Sequence, residues 1–209
     1  MKLPPRLTAS TAMDALTHAV EAYSCRQANP LSNAYARAAI GLIVEYLPKA
    51  LDHPRAHEPR LALANGALLA GAAFSNAMVG IVHAMGHAVG GVAGVPHGDA
   101  MAILLPHGMT YNLDVAGCAY ADLLLDLSGP DAYASTPAEQ RGAAAIDAVR
   151  ALSRTLHDRA GLPLTLCEAG VLPEHVPDIA RAALDDGAMS MNPKQPTYDE
   201  VVEILKGAL

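Results

Sequence analysis

An all-α, multi-helix, bundle-like domain is the fold class this sequence predicts, and three observations predict it. Apolar residues recur at spacings of three and four in almost every segment, the period of a helix with one buried face. No segment shows the apolar–polar alternation of a half-buried strand. The composition favours helices: 52% of the 209 residues are hydrophobic, with Ala and Leu prominent, one Phe, seven Tyr and no Trp. No internal repeat is visible, and residues 1–209 read as one domain.

The elements follow in order. TASTAMDALTHAVEAYSCRQA forms a first helix on Met13, Leu16, Val20 and Tyr23, with Thr8, Ser10 and Thr11 as candidate N-caps. NPLSNAYARAAIGLIVEYLPKAL forms a second, capped by Ser32 or Asn33 and disturbed in its last turn by Pro48. DHPRAHEPR is a polar loop, with His53 and His57 solvated, and RLALANGALLAGAAFSNAMVG is a largely buried helix. The histidine segment from Gly80 supplies a helix carrying His83 and His87, then a loop, GVPHGD, carrying His97. GDAMAILLPHGMTYNL is a short helix begun by Asp99 and stopped near Pro106, which places His107 at a helix end. Two more helices flank Gly129-Pro130, the second stopped at Gly161-Leu162-Pro163. PEHVPDIARAALDD and PTYDEVVEILKGAL are short helices on either side of a loop containing Met189 and Met191, whose side chains read as loop packing, with the wall of a substrate site as the alternative.

Charge and composition exclude several functions. A net charge of −7 without any basic run argues against nucleic acid or an anionic membrane as partner. Cys25, Cys118 and Cys167 are odd in number and lack CxxC spacing, which fits free thiols in a reducing compartment. Pro4, Pro5, Arg6 and Asp14 interrupt any signal-peptide core, and the best apolar run, Leu61–Met78, is broken by Asn65, Ser75 and Asn76. A cytoplasmic location is the expectation. There is no GxGxxG after a strand and no P-loop, hence no nucleotide-binding βαβ unit in these residues.

Chemistry concentrates in two places. Asp14 and His18 stand one helical turn apart on one face, among apolar neighbours where an unpaired carboxylate is costly. A plain Asp–His hydrogen bond remains open as a reading. His83 and His87 repeat the same spacing, and His97 follows beside Pro96 in a glycine-rich turn. Three converging imidazoles repel when protonated, so they call for a metal ion or a carboxylate between them. Asp14 and His18 offer the oxygen and a further nitrogen, a set suited to Fe²⁺ or Zn²⁺ and unlike a structural thiolate site. By spacing alone His87 belongs with the ligands. Gly86, Gly90, Gly94 and Gly98 fall at every fourth position, a strip that admits either a close helix or a flat ligand.

LPPRLTASTAMDALTHAVEAY, NPLSNAYARAAIGLI, GIVHAMGHAVGGVAGVPHGDAMAILLPHGMTYN and the closing MNPKQPTYDEVVEIL resemble the C-terminal half of the iron-dependent (group III) alcohol dehydrogenase family, over essentially the whole chain. The resemblance implies a metal held by Asp14, His18, His83 and His97, with iron expected and zinc the alternative. It moves His87 out of the ligand set, to a place beside the nicotinamide and in the proton path, with Gly90 also in the cofactor-binding surface. Phe74 matches an aromatic residue of the substrate pocket.

The implied activity is hydride transfer between a small alcohol or aldehyde and NAD(P). The family's α/β nucleotide-binding domain has no counterpart here, so NAD(P) binding is expected only where such a domain or subunit is supplied. Stand-alone turnover is expected to be poor, and an uncovered apolar face to favour self-association. Two rival readings are a non-catalytic helical metal-binding or interaction module left by truncation, and a metal-dependent hydrolase. The second is disfavoured because Ala84 stands where an HExxH motif has its Glu.

Overall fold

The computed structural model describes residues 3–209 and contains eight α-helices with no strand among them. Helix α1 (Pro5–Ser24) runs through the middle, with Ala9, Met13, Leu16, Ala19 and Val20 wholly buried, and packs on α2, α3 and α5. Its start departs from expectation. Pro4 is the N-cap and Pro5 the first helical residue, a position where the missing N–H costs nothing. The Thr8 and Thr11 hydroxyls bond back to the Pro4 and Leu7 carbonyls, 2.9 and 2.8 Å away, as mid-helix threonines do.

Helix α2 (Pro30–Asp52) is capped by Asn29 and not by Ser32 or Asn33. The Asn29 side chain accepts from the Leu31 and Ser32 amides, and the Ser32 hydroxyl accepts from the Asn29 amide at 3.0 Å. Pro48 lies inside α2 without ending it. The loop expected over 52–60 shrinks to four residues, because α3 (His57–Ala77) already begins at His57 and returns along α2. Gly66 lets the two helices meet: a methyl group there would stand 3.0 Å from Ile43.

The chain then turns by 106° into α4 (Ile81–Ala93). Met78 makes that turn with φ 73°, ψ −172°, a backbone region normally left to glycine. Gly94 closes α4 in the left-handed conformation. His97 is not on a loop but is the first residue of α5 (His97–Ser135), with Pro96 as its N-cap. Nor does Pro106 stop this helix. Ile103–Pro106 are buried among neighbouring helices, and that packing outweighs the loss of one backbone bond. His107 is therefore mid-helix. The break falls instead at Gly129 (φ 84°), where Pro130 restarts the chain.

Helix α6 (Arg141–Ala160) lies along α5 and ends at Gly161 in the left-handed region. Helices α7 (Val176–Leu184) and α8 (Tyr198–Gly207) lie on either side of the segment holding Met189 and Met191 as expected, but that segment is a 3-10 turn over Gly187–Met191 and not plain loop, with Met189 buried. No single described helix is long and apolar enough to cross a membrane.

Candidate metal centre

Three helices meet at one point: the middle of α1, the first turns of α4 and the start of α5. Arg6 of α1 grips the buried Asp99 carboxylate of α5 with two hydrogen bonds, 3.1 and 2.8 Å. Gly98 lies directly against the Ser10 backbone, and Gly86 of α4 lies against Met101 of α5. These contacts leave His97 facing Asp14 across the α1–α5 junction.

Asp14 Oδ1 stands 3.2 Å from His97 Nε2, 3.6 Å from His18 Nδ1 and 3.9 Å from His83 Nε2. One side-chain atom each from Asp14, His83 and His97 lies within 4.8 Å of the others, near enough for the three to close on one ion with a small adjustment. His18 stands at the margin of this group. Its ring is stacked on Phe74 at 4.4 Å between centroids and is tilted against His83 at 4.3 Å. Side-chain exposure rises from 2% at His83 through 19% at His18 and 27% at Asp14 to 42% at His97 and 47% at His87. The site is thus closed behind His83 and open on the His87–His97 side.

Two buried polar atoms here have no hydrogen-bond partner, Asp14 Oδ1 and His83 Nε2. His97 approaches Asp14 within ion-pair range but not along a hydrogen-bond line. Orphaned buried acceptors are costly, and these two face a common space. Electrostatics agree. Burial pushes the Asp14 carboxyl up, but the His97 contact and the charges of His18, His97 and His83 outweigh it and hold it below its ordinary value. Burial, reinforced by His83, drives His18 down to about 4, so its imidazole is neutral and free to donate a lone pair. Contact with Asp14 raises His97. One carboxylate oxygen together with imidazole nitrogens is a donor set that fits Fe²⁺ or Zn²⁺.

His87 is turned away from the Asp14 group. Its Nδ1 is 2.8 Å from Asp186 Oδ2, and its ring lies parallel to His97, 5.3 Å away. The glycine strip splits by role. Gly86 and Gly98 permit close helix packing and Gly94 caps a helix. Gly90 is half-buried, with the nearest foreign atom 3.5 Å from where a Cβ would lie.

Two residues escaped the sequence reading. Glu21 is buried and its Oε2 lies 2.6 Å from His83 Nδ1. The signal was present: Asp14, His18 and Glu21 fall at i, i+4 and i+7 on one helical face. Asp186, one of two adjacent aspartates at a helix end, carried no such signal.

The family model described as "Fe-containing alcohol dehydrogenase family, C-terminal" matches residues 8–209. The chain belongs to the iron-containing alcohol dehydrogenase family. It is 40% identical over 205 residues to 1,3-propanediol dehydrogenase of Klebsiella pneumoniae, covering 98% of this chain and 51% of that enzyme. It is also 40% identical over 202 residues to lactaldehyde reductase of Escherichia coli strain K12, covering 97% and 51%. The crystal structure of a 1,3-propanediol oxidoreductase superposes with a TM-score of 0.92 at 39% identity, over 99% of this chain and 52% of the other. The chain spans about half the length of the curated relatives it matches, and aligns with the C-terminal half of these two-domain dehydrogenases.

Proposed function

We propose that this chain is the helical metal-binding catalytic half of an NAD(P)-dependent alcohol dehydrogenase or aldehyde reductase acting on a small alcohol. The observation that carries the reading is the pair of orphaned buried atoms, Asp14 Oδ1 and His83 Nε2, facing one another beside His97. Asp14, His18, His83 and His97 would hold a divalent iron or zinc ion. Such an ion, when bound, supplies Lewis acidity toward the oxygen of an alcohol or carbonyl.

The remaining residues divide the other work. Phe74, stacked on His18, forms an apolar wall that excludes water from the reacting carbon. His87 sits at the open side with Nδ1 tied to Asp186, so its Nε2 is the atom placed to exchange a proton with solvent. Gly90, half-buried and without a side chain, keeps the backbone accessible to a flat ring on this side of the site. No parallel βαβ unit lies among the described residues, so the nicotinamide is to be presented by a nucleotide-binding domain joined to or paired with this one.

Elemental analysis of the purified protein, with Asp14→Ala and His97→Ala alongside, tests the reading. Stoichiometric iron or zinc, lost in both variants, supports it. So does NAD(P)-dependent propanediol oxidation that appears when a nucleotide-binding domain is added and is abolished by a chelator. A wild-type protein that takes up neither metal overturns it.

A further inference from the structure

Behind His83, on the side away from Asp14, the carboxyl group of Glu21 is buried at the junction of α1 and α4. Its Oε1 accepts from the Val82 amide at 2.8 Å, and its Oε2 lies 3.3 Å from the His83 amide and 2.6 Å from His83 Nδ1. Both oxygens face donors at the first turn of α4, where backbone N–H groups lack intrahelical partners. Both Glu21 oxygens already act as acceptors toward backbone N–H groups, and the short contact to Nδ1 completes that pattern with the imidazole as donor. That fixes the tautomer: Nδ1 carries the proton and Nε2 keeps a lone pair. Nε2 is the buried atom without a partner, 3.9 Å from Asp14 Oδ1. Gly80 makes room for the arrangement, since a Cβ there would stand 3.2 Å from Glu21 Oε1.

We propose that Glu21 is a positioning residue of the metal centre. It locks His83 in the tautomer and ring orientation that aim Nε2 at the ion, and one carboxyl group joins that task to the docking of α4 on α1. This rests on the metal-centre reading above. A carboxylate behind a ligating imidazole raises its basicity and removes its rotational freedom, and loss of such a partner weakens metal binding about 10–100-fold. A glutamine cannot replace it. If its amide oxygen faces Nδ1–H, its NH₂ faces the Val82 N–H. If the oxygen stays on Val82, the NH₂ forces the proton onto Nε2 and blocks the ion.

The test is Zn²⁺ affinity, measured by competition with a chromophoric chelator, for wild type, Glu21→Gln and Asn192→Ala. Asn192 also accepts from the start of α4, at the Ile81 amide, but does not touch the imidazole. Glu21→Gln is expected to lose about 10–100-fold in affinity, and Asn192→Ala to keep it while melting earlier. Equal affinities for wild type and Glu21→Gln, or equal losses in the two variants, would reduce Glu21 to a helix cap and overturn the proposal while leaving the metal reading intact. A wild type that binds no zinc overturns both. Should Glu21→Gln fail to fold, ¹⁵N NMR of metal-free wild type decides: a protonated Nδ1 on His83 is expected, and a protonated Nε2 overturns the assignment.

Discussion

A methyl group placed on Gly98 would stand 2.5 Å from the carbonyl oxygen of Ser10, so these two residues seat the start of α5 on α1 backbone to backbone. Neither backbone is free to give, and His97 is the adjacent residue. Gly98→Ala is expected to lower unfolding free energy by about 1–3 kcal/mol and to weaken metal uptake with it. Gly91→Ala is the control. It lies inside α4 with nothing within 4 Å of a new Cβ, and is expected to stabilise by about 0.5–1 kcal/mol. Urea denaturation of the two variants should move in opposite directions.

Asn112 and Asn192 form a buried reciprocal amide pair, each bond 2.8 Å, and Asn192 also holds the Ile81 amide. Asn192→Ala strands Asn112 and Ile81 without water. A loss of about 3 kcal/mol is expected, at roughly 1–3 kcal/mol for each unsatisfied group. The double variant with Asn112→Ala should cost less than the sum of the single ones.

Met78 holds its positive φ on a turn where it is 44% exposed, so a glycine there gives up only part of a side chain's burial. Strain of this kind costs about 1–3 kcal/mol, against about 0.5–1 kcal/mol for the added freedom of a glycine. Met78→Gly is therefore expected to raise the melting temperature, a result differential scanning calorimetry reads directly.

Burial, aided by Arg150, holds His107 below its ordinary 6.5. The unfolded chain thus binds the proton more readily, and stability is lost as pH falls through and below 6.5. His107→Gln is expected to flatten that part of the stability–pH curve relative to wild type, as seen in denaturation series from neutral to mildly acidic pH.

The helical fold was legible because the periodicity of each apolar face is written locally. What was not legible depended on contacts between helices. Pro106 reads as a stop, yet α5 passes through it because the surrounding core favours continuation. Thr8 and Thr11 read as caps because a cap and a mid-helix hydroxyl look alike until the helix start is known. At the site, spacing anticipated that Asp14, His83 and His97 would converge, and the fold brings them within reach of one another. Their role as ligands is the proposal argued above. The same spacing grouped His87 with His83, whereas the exposed His87 ring turns to Asp186. Glu21 was passed over because a glutamate near a helix end reads as a surface residue, and only the docking of α4 buries it.

Asp14, His83 and His97 sit on three different helices, and the His83–Glu21 contact alone spans 62 positions of the chain. An ion gripped by this set has nothing to hold while any one of those helices is undocked. Zinc added during refolding should therefore leave early helix formation unchanged and slow unfolding instead, since a ligand of the finished state acts on what must be broken. At a thousandfold excess over its dissociation constant it should add about 4 kcal/mol of resistance to unfolding. Stopped-flow chevrons with and without zinc would display it as a drop of the unfolding limb alone. On that reading the proposed centre would be a clasp, closing last and keeping shut what the apolar core has already assembled.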